Sequence, residues 1–187
     1  MGNIDTRAQF QGGYIYVKTD RPYYYPGNTV YGKIYIRTQT YMEPQHIEIY
    51  VKGKEKASFY EFENHERRDA DGTVHRERRR HHRYYSRKIM HFKGVCFTFQ
   101  GPLNPGDYTI PFEFTLPANM PSSIIYENRN REDHPWCKVK YTAQAILVMR
   151  NNTTLKYKQW IVIHEPPVPF VENSQSAQTV RLTTCCC

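Results

Sequence analysis

The sequence predicts an all-β chain folded as an immunoglobulin-like antiparallel β-sandwich, with a long basic loop insertion. Three observations carry this. Short segments alternate apolar and polar side chains, as strands with one buried face do. Pro, Gly and Asn turn signals separate those segments. No long segment carries the helical period, while 16 Tyr and 9 Phe supply the ring-rich side chains that pleated surfaces favour.

Residues 14–18 form a first strand, and Pro26-Gly27-Asn28 marks a turn. Residues 29–37 form a second, with Val30, Gly32, Ile34 and Ile36 on one face and Tyr31, Lys33, Tyr35 and Arg37 on the other. A third opens at residues 47–54 with Ile47, Ile49 and Val51 inward, and continues through a bulge at Gly53 to Phe62. Residues 63–88 then lose all period. Polar and charged, they read as a loop or disordered insertion, poorly ordered over residues 64–86. Pattern returns at residues 95–99 and, after a Pro/Gly turn at 101–106, at 107–116. There Phe112, Phe114 and Leu116 alternate with Glu113 and Thr115 until Pro117 removes a ladder donor. Pro121 holds Met120 extended, and the chain resumes at residues 123–126. Strands at 138–149 and 155–163 flank an Asn151-Asn152 hairpin turn. A Pro-rich exit at 164–169 and a polar linker at 172–178 follow. The expected core includes Ile34, Ile36, Ile47, Ile49, Val51, Phe112, Phe114, Leu116 and Tyr141.

At 187 residues the chain should hold one domain, or one domain and an extension. The expected division is an N-terminal segment at 1–11, a sandwich at 12–165 with the basic insertion at 64–88, and a tail at 166–187. No apolar run approaches the ~20 residues that span a bilayer, and no signal-peptide apolar region opens the chain. Cys96 and Cys137 are isolated and Cys185, Cys186 and Cys187 end the sequence. That spacing suits neither a disulfide framework nor a zinc site, and points to a reducing cytosol. The overlapping sequons at Asn151 and Asn152 read as a chance match in a polar turn. Of the net charge of +8, residues 64–93 contribute ten Lys/Arg against four acids, leaving sixteen against fourteen elsewhere.

Several motifs come in a characteristic order. They are Pro26-Gly27-Asn28-Thr29-Val30-Tyr31-Gly32, Ile47-Glu48-Ile49-Tyr50-Val51-Lys52-Gly53, Leu103-Asn104-Pro105-Gly106-Asp107-Tyr108, the Phe112-x-Phe-x-Leu-Pro-x-x-x-Pro-Ser-Ser run, and Val139-Lys140-Tyr141-Thr142-Ala143-Gln144-Ala145. Over residues 12–165 the chain resembles the arrestin N-terminal domain. The resemblance implies a non-catalytic adaptor that binds cytoplasmic regions of membrane cargo in endocytic or vesicular trafficking or signalling. A constitutive coat or scaffold subunit, similar to the arrestin-fold subunit of retromer, is the alternative. Only Lys18 and Arg21 lie near the first strand, so the paired phosphate-sensing lysines of visual arrestins are missing; the chain looks closer to the α-arrestin or retromer branches. Pro166-Pro167-Val168-Pro169 lacks the Tyr of a Pro-Pro-x-Tyr ligase motif. Residues 181–187 look like the first strand of a second sandwich, whose apolar Cys185, Cys186 and Cys187 would pack inward; palmitoylation of these cysteines is the other reading.

Candidate sites follow. Met1-Gly2-Asn3-Ile4-Asp5-Thr6 fits the N-myristoylation pattern, with Gly2 as acceptor. One myristoyl chain binds membranes only marginally and wants a second signal. Arg76, Arg78, Arg79, Arg80, Arg83, Arg87 and Lys88 are candidates for it, as a surface for anionic membrane; a solvated charge run without a partner is the bland alternative. In arrestins this place corresponds to a loop reaching toward receptor or membrane. Tyr84 and Tyr85 beside the Arg run leave nucleic-acid binding as a weaker reading. His75, His81 and His82 lack a scaffold and nearby Cys, so no metal is expected, nor any cofactor. By the same resemblance residues 127–136 form a cargo-contacting loop, with Arg129, Arg131 and Trp136 as candidates; Trp136 covering the sandwich edge is the alternative. Glu61 and Glu63 have no acid–base partner, and neither a nucleophile elbow nor a phosphate-cradling Gly-rich loop occurs, so no catalytic residue is assigned. The expected location is cytoplasmic, peripheral at plasma membrane or endosomes. Oligomeric state is left open.

Overall fold

Alternation of apolar and polar residues builds two antiparallel sheets in this computed structural model, which describes residues 8–10, 12–131 and 133–166. The first sheet contains β1 (Ala8–Phe10), β2 (Gly13–Thr19), β3 (Thr29–Thr38) and β6 (Gly106–Thr115), in the order β1-β2-β3-β6. The second contains β4 (Pro44–Arg68), β5 (Val74–Thr98), β7 (Ile124–Glu127) and β8 (Trp136–Met149), in the order β5-β4-β8-β7, with β9 (Thr154–Ile161) also pairing β8. One apolar core lies between them, and all nine residues expected there are buried. Among the described residues no helix is long and apolar enough to cross a membrane. The short β1 precedes the start expected for the sandwich. Gly2, the linker at 172–178 and the terminal cysteines lie outside the described residues.

Two strand glycines make room for rings from the facing strand. Gly32 pairs with Phe112 and Gly53 with Tyr141. A Cβ at Gly32 would stand 2.3 Å from the Phe112 ring, and one at Gly53 would stand 2.5 Å from Tyr141. Each glycine therefore lets an aromatic lie flat over the neighbouring backbone, a close approach only glycine permits. Tyr141 uses its reach to donate its hydroxyl to the Pro121 carbonyl at 2.7 Å, tying β8 to the segment before β7. A second tie joins the sheets: Gln159 on β9 accepts from the Thr19 amide at 3.2 Å and donates to the Thr19 hydroxyl at 3.0 Å. Pro111 is tolerated because β6, paired among the described residues only with β3, is an edge strand.

The expectation for residues 63–88 needs correction. They are not a loop. Strands β4 and β5 pair without interruption from the bulge at Gly53 to the Arg68–Val74 pair, so the insertion is an antiparallel hairpin. Its turn is closed by the Asp69 amide on the Thr73 carbonyl at 2.9 Å and the Gly72 amide on the Asp69 carbonyl at 3.0 Å, with Gly72 at φ 87°. The hydrophobic period is absent because neither face of the hairpin is covered. The period-2 signal sits instead in charge sign and aromatics, and cross-strand pairs of those kinds support a ladder. Glu61 faces His81 and lies 2.7 Å from Arg83, Glu66 lies 2.7 Å from Arg76, and Glu55 lies 2.8 Å from Arg87.

One buried and one half-buried group set a pH limit. Burial pushes the Tyr141 hydroxyl up to about 12 and the Cys96 thiol up to about 11. Both are neutral in their protonated form, and their folded values lie above the ordinary ones of 10.0 and 9.0. Their contribution to stability is therefore complete below pH 9 and is lost as pH rises through 11 and 12. The urea midpoint should hold level up to about pH 9 and then fall, and Tyr141→Phe with Cys96→Ala should flatten that fall. Gly53→Ala forces a methyl group against the Tyr141 ring. It should cost roughly 1–3 kcal/mol in urea unfolding, and a neutral result would mean that the ring does not lie over Gly53.

Candidate functional site

The side chains available for binding follow from one irregularity. Gly53 pairs with Met90, but Lys54 pairs with Lys88, so Ile89 is an extra residue on β5. Inserting one residue reverses which side of the strand each later side chain takes. Below the bulge Met90 and Phe92 point to the core side; above it Arg87, Tyr85 and Arg83 take that side, and Lys88, Arg80, Arg78 and Arg76 point outward. On β4 the alternation continues unbroken. Ile47, Ile49, Val51 and Gly53 face the core, so Lys52, Lys54, Lys56 and Arg68 face out.

The outer face of the second sheet thereby collects cations from four strands. To those of β4 are added Arg76, Arg78, Arg80, Lys88 and Lys93 on β5, Lys138 and Lys140 on β8, and Lys156 and Lys158 on β9. Against these thirteen stand three carboxylates, Glu48, Glu66 and Glu127. The rest of the chain then holds thirteen Lys/Arg against fifteen acids. The face carries +10 and everything else −2. The basicity that the sequence places mostly in the insertion thus continues onto the sheet face below it.

Rings line the same face. Lys52 sits 4.0 Å over Tyr50, Arg78 4.0 Å over Phe62, Arg80 4.1 Å over Tyr60, Lys138 4.8 Å over Trp136 and Lys140 4.1 Å over Trp160. Only one other cation–ring stack occurs among the described residues, Arg37 over Tyr14. Tyr84 meets Trp136 edge-on at 6.4 Å. Glu66 and Glu48 are taken up by Arg76 and Lys93, and Glu127 by Arg129, which holds its carboxyl below the usual range. Among the described residues no carboxylate pairs with Lys52, Lys54, Lys56, Lys88, Lys138, Lys140, Lys156 or Lys158.

The opposite face of the hairpin is electrically balanced. Glu55, Glu61, Glu63 and Glu77 there meet Arg67, Arg79, Arg83 and Arg87. Arg79 is 3.1 Å from Glu77, and His65 and His81 lie 3.4 and 3.5 Å from Glu63. The seven cations named from sequence therefore divide. Arg76, Arg78, Arg80 and Lys88 belong to the cationic face, while Arg79, Arg83 and Arg87 lie on the balanced one. His75 bonds Asp69 at 2.8 Å and His82 bonds Ser58 at 2.8 Å, on opposite faces, so the three histidines do not converge.

At the base of the β7–β8 connection Glu127 pairs with Trp136 and the Asn128 amide bonds the Pro135 carbonyl at 2.9 Å. Arg129 and Arg131 are occupied by Glu127 and Asp133. Trp136 is half-buried at the start of β8, on the outer face, and not at the loop tip. Lys18 lies on the outer face of the first sheet, and Arg21 is 3.5 Å from Asp20, which Tyr24 also engages. Lys54, Lys56, Lys138, Lys140 and Trp160 were missed from sequence. Their signal was present, since even-numbered cations on two strands share a face, but only the strand pairing places them beside the hairpin.

Residues 14–166 match the family described as "Arrestin (or S-antigen), N-terminal domain", and the chain belongs to that family. The domain is non-catalytic, as arrestin folds are; among the described residues no three His, Cys, Asp or Glu side chains group as a metal site. Among solved structures the fold is similar to that of Spo0M, a sporulation control protein from Bacillus subtilis, with a TM-score of 0.51 and 15% identity. That similarity covers 81% of this chain and 49% of Spo0M, so the chain spans about half that protein's length. No curated protein matches the sequence.

Proposed function

We propose that the domain is a cytoplasmic, membrane-peripheral adaptor that binds cytoplasmic regions of membrane cargo in trafficking or signalling. Arrestin-family membership supports the adaptor class. The observation that carries the binding mode is the edge of β5. Among the described residues this 25-residue strand pairs only with β4, and none of them covers its other edge along the hairpin. An open edge accepts an extended peptide as an added strand, with backbone bonds for affinity and alternate side chains for selection. The Arg and Lys residues along β5 discourage self-pairing and favour an acidic partner segment. Myristoylation of Gly2, with the hairpin cations as second signal, would keep such an adaptor at its membrane.

Tail peptides from membrane proteins, screened against the full chain, should select extended acidic segments. N-methylation of alternate peptide amides should abolish binding when it removes the ladder donors, and should leave it intact one residue out of phase. Binding insensitive to either methylation pattern would rule out strand addition. Retention of coat subunits in place of receptor tails would assign the chain to the scaffold class.

A further inference from the structure

We propose that the outer face of the second sheet, from the hairpin across to β9, is a docking surface for an anionic lipid bilayer. The inference deepens the membrane-peripheral reading above but needs no cargo. Its occupant is argued from charge and chemistry. A face carrying thirteen Lys/Arg against three carboxylates, on a chain otherwise slightly acidic, is complementary to a negatively charged sheet of headgroups.

The shape is also that of a bilayer partner. The face is a sheet surface, and its hairpin arm, residues 54–68, adds about 45–50 Å at ~3.3 Å per residue. Cations are spread over four strands with no single focus. Of the eleven that no described carboxylate pairs, eight are Lys, compact point charges suited to a smeared field of headgroups, and of the three Arg two, Arg78 and Arg80, lie over rings. The rings interleaved with them include Trp136, Trp160 and Tyr84, the last two 58% and 57% exposed. Such amphipathic rings settle at headgroup depth, while the cations beside them reach the phosphates. Nucleic acid is the weaker partner. Five of the rings that a base would stack on are already covered by a cation.

The two faces of the hairpin give the test its control. Purified, non-acylated full chain should bind vesicles of phosphatidylcholine with phosphatidylserine and not phosphatidylcholine alone. Each cation near an anionic leaflet raises partition about fivefold. Lys54→Gln, Lys56→Gln, Lys138→Gln and Lys140→Gln together should therefore weaken binding about a hundredfold or more. Neutralising Arg67, Arg79, Arg83 and Arg87 removes the same charge from the balanced face and should weaken it far less, within about fivefold. Equal losses in the two variants would mean that net charge acts without a face, and would overturn the proposal.

A second readout needs no substitution. Trp136 and Trp160 are the only two tryptophans of the chain, and both lie on this face. Brominated phosphatidylserine should quench their fluorescence on binding, and unquenched emission in the bound state would place another surface against the lipid. No binding to acidic vesicles, or single-stranded RNA that binds tighter and displaces them, would equally overturn the assignment. Tail peptides that still bind the Lys→Gln variant would show that cargo recognition stands apart from lipid docking.

Discussion

The extra residue at Ile89 governs what the hairpin can do. A strand side chain has two choices of direction, and an insertion of one residue exchanges them for everything beyond. With Ile89 bulged, Arg83 and Arg87 fall beside Glu61 and Glu55, while Arg76, Arg78 and Arg80 join the lysines of β4. Without it the same seven cations would be sorted the other way, and Arg83 and Arg87 would leave their carboxylates. The bulge sits where the sandwich ends, beside Met90, which closes that end of the core. Core packing thus fixes the phase of a hairpin that has no core of its own.

Gly53 and Tyr141 explain why the phase holds. Tyr141 lies over Gly53 directly at the register shift, and its hydroxyl is anchored on Pro121. A slip of β4 against β8 would drive a side chain into that ring and strand the hydroxyl in an apolar site, where an unpaired polar group costs about 1–3 kcal/mol. Phe112 over Gly32 plays the same part in the first sheet. The two pairs hold both sheets in register from inside, and the outer face inherits its order from them.

Much of this was legible in the sequence. The alternation of Phe112, Phe114 and Leu116 and the Asn151-Asn152 turn appear where periodicity and turn chemistry put them, while the bulge expected at Gly53 lies on the facing strand, at Ile89. The hairpin was not, because hydrophobic period reports burial and neither of its faces is buried. Its alternation is written in charge instead: Glu55, Glu61, Glu63 and Glu77 share one face with Arg67, Arg79, Arg83 and Arg87, while Lys54, Lys56, Arg76, Arg78 and Arg80 share the other. The cationic face was legible only in fragments. Arg78 and Arg80 stood out within a basic run, while Lys138 and Lys140 looked like ordinary solvent-facing residues of a strand, and only the β4–β8 pairing places them beside Lys56 and Lys54.

The central claim is that residues 54–88 form a ladder whose alternate positions differ in environment. Nuclear magnetic resonance of the arginine side chains tests it most directly. Ring currents from Phe62 and Tyr60 should shift the Arg78 and Arg80 δ-methylene protons well upfield, while those of Arg79 and Arg83 stay near their ordinary positions, and backbone contacts should join Tyr60 to His82 and Phe62 to Arg80. Uniform, random-coil shifts across all four arginines, with no cross-strand contacts, would contradict the account.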